Sequence, residues 1–88
     1  GFPSEPEQMS LYIASFHTHL SALMTSRTLA GQGIRARMMP VPRKLSSSCG
    51  TCIRYEAEGP NLAAMDVDVE RVYQVGADEQ YTLLLEHQ

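Results

Sequence analysis

The 88-residue chain has no tryptophan, two phenylalanines, four tyrosines and two cysteines. Each scarcity excludes something. Two cysteines are too few for the disulfide framework of a small secreted domain. No Gly-rich aromatic run is present of the kind that stacks bases on an RNA-binding sheet. Cations are not in excess, since the formal net charge is -3. Nucleic acid and anionic membranes both reward Lys and Arg, so neither is expected as the main partner. No apolar run approaches the roughly 20 residues that span a bilayer. There is no nucleophile-elbow run, no phosphate-cradling glycine loop with a lysine, and no convincing carboxylate pair, so nothing supports a hydrolase. The first residues, Gly1-Phe2-Pro3-Ser4-Glu5-Pro6-Glu7-Gln8, are acidic and Pro-containing, unlike a signal peptide. These absences lead to the expectation of a soluble, cytoplasmic protein. Residues 1–9 read as a flexible N-terminal tail and 10–88 as one small domain. Such a domain buries roughly 60–65% of the surface its unfolded chain exposes.

What is present alternates between short apolar runs and amphipathic stretches. Leu11 to Phe16 is apolar and bounded by polar residues, as a buried strand is. Thr18 is placed to cap a helix over 18–31 carrying Leu20, Leu23, Met24 and Leu29. Gly31-Gln32-Gly33 ends it. Ile34 to Met39 alternates apolar and basic residues, placing Arg35 and Arg37 on one face of a strand that Pro40 and Pro42 close. Cys52 to Glu56 alternates again. Leu62, Met65, Val69, Val72 and Tyr73 fall at helical spacings, predicting a second helix over 60–76. Asp66, Asp68, Glu70 and Arg71 form its wet face and Gly76 its end. Gln80 to Glu86 reads as a last strand. The order strand, helix, strand, strand, helix, strand predicts an α+β, ferredoxin-like split βαβ domain. It would have one antiparallel sheet and two helices on one face.

Both cysteines fall in the least regular and most basic segment, Pro42-Arg43-Lys44-Leu45-Ser46-Ser47-Ser48-Cys49-Gly50-Thr51-Cys52. A structural cysteine usually lies in an apolar element. A reactive one needs exposure and nearby positive charge. Here Arg43, Lys44 and Arg54 supply the charge, and Gly50 supplies a pliable neighbour. The predicted topology puts this loop at the same end of the sheet as His17, Thr18 and His19. The helix N-terminus is also there, and it favours an anion.

The run Pro40-x-Pro42-Arg43-x-x-Ser46-x-x-Cys49-Gly50-x-x-x-Arg54, following Gly33-Ile34-x-Ala36-Arg37, resembles the selenium/sulfur carrier protein-like family of small bacterial domains. The similarity extends from about Leu11 to Glu86. The resemblance implies a carrier without turnover of its own. Cys49 would hold sulfur or selenium as a persulfide or perselenide. The chalcogen would come from a desulfurase-like donor enzyme and pass to an acceptor enzyme. Neither a cofactor nor a metal is implied. Cys52 departs from the family pattern, which has a small or apolar residue there, and a second thiol could resolve the first.

Other readings stay open on the residues alone. Cys49-x-x-Cys52 has thioredoxin-like spacing, but an extended segment follows rather than a helix. With His17 and His19 the two cysteines have Cys₂His₂ stoichiometry without zinc-finger spacing. The competing function class is a protein-binding or adaptor module in which the Ser/Cys/Gly loop is purely structural.

Overall fold

A computed structural model describes residues 9–87. The acidic tail expected over 1–9 therefore lies outside the described residues except for Met9. The elements run β1 (Ser10–Phe16), α1 (His19–Gly31), β2 (Ala36–Pro40), β3 (Thr51–Ala57), β4 (Val69–Val75) and β5 (Tyr81–Glu86). Single 3₁₀ turns at Leu62–Ala64 and Ala77–Glu79 flank β4. All five strands form one antiparallel sheet in the order β2-β3-β1-β4-β5. Among the described residues no helix is long and apolar enough to cross a membrane.

The first half follows the sequence closely. Thr18 caps α1, its hydroxyl accepting from the Ser21 N–H. At the other end Gly33 adopts φ 79°, and Ile34 N–H and Gly33 N–H return to the carbonyls of Leu29 and Ala30. That pairing is a Schellman closure, and it needs a left-handed residue where glycine stands. The buried face of α1 differs from the apolar stripe. Ser21, Ala22, Thr25 and Leu29 point inward, whereas Leu20 and Met24 are 65% and 50% exposed. Two of the inward groups are polar because Asp66 satisfies them. The Ser21 hydroxyl donates to its carboxylate at 2.8 Å, and its own N–H donates to Thr25 Oγ1 at 2.9 Å.

The second helix is corrected. Residues 58–68 cross above the sheet as an irregular segment, and 69–75 form β4 between β1 and β5. Four valines between positions 67 and 75 favour extended backbone. The helical spacing of Val69 and Val72 arises from a slip in register. Val72 pairs with Ala14 and Arg71 with Ser15, but Phe16 pairs with Val69, which leaves Glu70 as an extra residue. The bulge brings two valines three positions apart onto the same face of a strand. Gly76 accordingly opens the β4–β5 turn instead of ending a helix.

The core lies between α1, the 58–68 crossover and one sheet face. Tyr12, Ala14, Phe16, Leu29, Ile53, Tyr55, Val69 and Val72 are buried together, with Ala64, Met65 and Leu85 packed against them. Tyr12 and Tyr55 are cross-strand partners with ring centroids 5.4 Å apart. Burying each large side chain contributes about 1.5–3 kcal/mol. The opposite face carries Leu11, Ile13, Cys52 and Arg54 by the alternation of β1 and β3.

Candidate functional site

The sheet and α1 bring three segments to one end: the turn from β1 into α1, the β2–β3 loop, and the start of β4. The β2–β3 loop is tied down at several points. Val41 N–H donates to Gly50 O at 3.1 Å, and Leu45 N–H to Pro42 O at 2.9 Å. Gly50 holds φ 75°, a left-handed conformation that an L side chain strains to adopt. Ser47 Oγ donates to the Phe16 carbonyl at 3.1 Å, pinning the loop to the end of β1.

Glu70 makes the strongest tie, and sequence reasoning missed it. Expected on the wet face of a helix, it is only 8% exposed. Its carboxylate accepts from Ser48 N–H at 3.1 Å and from Ser48 Oγ at 3.2 Å. Burial raises the Glu70 carboxyl. Hydrogen bonds from Ser48 and Ser47, aided by the charge of His17, more than offset that and hold it below its ordinary value of 4.5. Arg71 lies 3.5 Å from the same carboxylate and bonds Glu86 at 3.0 Å. The bulge explains how this residue reaches the loop. The unpaired position re-aims its side chain while its carbonyl accepts from His87 N–H at 2.8 Å. The only signal in the sequence was a charged residue inside an alternating Val/Tyr run.

Cys49 follows this anchored pair of serines and is half-buried. Its Sγ donates toward Thr51 O at 3.6 Å and lies 4.0 Å from Ser47 Oγ. Cys52 is fully buried at the start of β3, with Sγ 3.7 Å from Pro40 O. Burial, then the charge of Cys49, pushes the Cys52 thiol up to about 11. Both cysteines are free. Cys52 and Arg54 share a side of the pleat, as the alternation of β3 requires.

The histidines do meet the loop. His17 Nδ1 lies 3.4 Å from Ser48 Oγ, and His19 Nδ1 3.4 Å from Thr51 Oγ1. Thr18 serves as the helix cap. Arg43 and Lys44 are exposed in the turn before the serines, and Arg54 is exposed on the open sheet face. Among the described residues no hydrogen bond or ion pair joins these three cations to Cys49, and no three His, Cys, Asp or Glu gather as metal ligands.

The fold and loop define a class: a small α+β domain that presents one accessible thiol on an anchored loop and hides a second. The chain belongs to the family described as "Putative Se/S carrier protein-like", whose model matches residues 11–73. The matched span runs from β1 through most of β4 and contains both cysteines and Glu70. No curated protein and no solved structure gives a significant match to the chain.

Proposed function

We propose that the chain carries sulfur or selenium on Cys49 between two enzymes. The supporting observation is the contrast between its two thiols. Cys49 is half-exposed on a loop held by Ser47, Ser48 and Glu70, whereas Cys52 is sealed in the sheet. In the loading step the Cys49 thiolate attacks the outer sulfur of a persulfide on a desulfurase-like donor. The donor's S–S bond breaks and the donor cysteine leaves as thiolate. Cys49 then holds the persulfide with no net oxidation. Attack by an acceptor nucleophile on the outer sulfur reverses the chemistry and regenerates the Cys49 thiolate. Selenium follows the same path as a perselenide.

Cys52 must not interfere with this cargo. A thiolate beside a persulfide can attack its inner sulfur, release sulfide and close a disulfide. Burial that keeps Cys52 protonated suppresses that discharge until the loop opens, when it becomes a resolving thiol. Arg43, Lys44 and Arg54 act at longer range, drawing the charged persulfide toward the basic side of the loop without contacting it.

The test is intact-mass measurement after incubation with a cysteine desulfurase and cysteine. Wild type and Cys52→Ala gain one sulfur atom, and Cys49→Ala gains none. No gain in wild type rejects the proposal and leaves the loop a structural element of a binding module.

A further inference from the structure

The open face of the sheet carries a charge arrangement of which the proposed sulfur chemistry uses Arg54 alone. Arg37 and Arg54 are direct cross-strand partners in β2 and β3. Like charges placed directly opposite destabilise a strand pair. Both are exposed, and the ion pairs among the described residues, Arg71–Glu70 and Arg71–Glu86, include neither. The chain does not lack carboxylates to neutralise them, having ten acidic residues against seven basic ones. Arg35 joins the two arginines around a shallow depression of about 530 Å³, which Leu11 and Glu56 also border. A neighbouring depression of about 220 Å³ shares Leu11 and Arg54 and extends the floor to Ile13 and Met39.

We infer that this groove docks an acidic, extended segment of a partner protein. Charge complementarity is the first argument: three guanidiniums that form no ion pair among the described residues, with only Glu56 and Glu79 as carboxylates on the two linings, suit a partner that brings its own. Their spread is the second. Arg35, just before β2, lies two residues from Arg37, roughly 7 Å along an extended chain, which matches successive acidic side chains better than one small oxyanion. The third is the strand edge. β2 ends the sheet order, so an added extended segment can use its free backbone groups. The carboxylate of Glu56 at the rim and the apolar floor disfavour a continuous polyanion such as RNA. The second depression reaches Pro42, at the start of the loop that carries Cys49. A partner seated on it has the thiol loop at its end.

Fluorescence anisotropy with fluorescein-labelled hexaglutamate and the full chain tests this at low salt. Saturable binding is expected, weakening as salt is added and falling by about tenfold or more in Arg37→Gln/Arg54→Gln. The charge-matched control Arg27→Glu, at an exposed position of α1 outside the groove, is expected to bind as wild type does. Cys49→Ala is also expected to bind normally, which separates this result from any failure of sulfur loading. No saturable binding, or an equal loss in the control, overturns the inference and leaves the arginines as edge protection. Displacement of the probe by inorganic phosphate at the probe's own concentration reassigns the groove to a small oxyanion. Tighter binding of octauridylate than of hexaglutamate reassigns it to nucleic acid. Tighter probe binding in Glu5→Gln/Glu7→Gln identifies the chain's own N-terminal segment as the occupant. Each of these three outcomes likewise overturns the partner-docking inference.

Discussion

Replacing Glu70 with alanine removes the carboxylate that holds the cysteine loop. Two hydrogen bonds to Ser48 are lost, at 3.1 and 3.2 Å. Bonds to a charged acceptor contribute about 1.5–3 kcal/mol each when shielded. Ser48 is exposed, so water replaces part of that, and about 1–2 kcal/mol for the pair is the reasonable figure. The Arg71 contact at 3.5 Å adds little, because that side chain is partly exposed. For a domain of this size the change corresponds to a Tm lower by roughly 5–15 °C. Calorimetry measures it, and hydrogen exchange at the Ser48 amide reports the loop directly. Glu70→Gln keeps one acceptor and should recover part of the loss. The sign of the pH effect follows from the carboxyl. Its folded value lies below the ordinary 4.5, so the stabilisation is present above that pH and is lost as pH falls through the folded value. His17 and Arg71 face the same group, and their attraction to its carboxylate is part of what Glu70→Ala removes. The Tm gap between the two proteins should therefore narrow on acidification below 4.5. An unchanged Tm and unchanged Ser48 exchange in Glu70→Ala would refute the view that Glu70 positions the loop.

The remaining predictions follow from burial and backbone geometry. Iodoacetamide should alkylate Cys49 before Cys52 at every pH below about 11, with Cys52 reacting only as fast as the protein opens. Peptide mapping of partly alkylated protein reads the order. Thr18→Ala should cost about 1 kcal/mol in urea unfolding, because the Ser21 N–H loses its cap. Leu29→Ala, at a fully buried position, should cost about 2–5 kcal/mol in the same assay. Far-UV circular dichroism should show the α-helix of 13 residues in 88, about half what two helices would give.

The sequence was most informative where local chemistry decides structure. Thr18, Gly33 and the two prolines mark the limits of α1 and β2 through capping, left-handed closure and a missing donor, which need no distant partner. The alternation of β3 likewise put Cys52 and Arg54 on one side. The reading failed where tertiary pairing decides. Val69 and Val72 look helical only because the register slips opposite Phe16, a property of two strands together. The same slip hid Glu70, because an extra residue in a strand has no periodicity of its own. One bulge thus accounts for both the misplaced helix and the missed anchor of the cysteine loop. The buried polar face of α1 was hidden for a similar reason, since Ser21 and Thr25 are acceptable inside only with Asp66 beside them.

Fragment-ion mass spectrometry of the sulfur-loaded chain tests the central claim most directly. Trypsin cutting after Lys44 and Arg54 leaves both cysteines on the peptide 45–54, and cleavage of that peptide between Gly50 and Cys52 separates them. The account predicts the added sulfur on fragments containing Cys49 and not on those containing Cys52 alone. Sulfur found on Cys52, or on neither cysteine after a desulfurase has turned over, would contradict it.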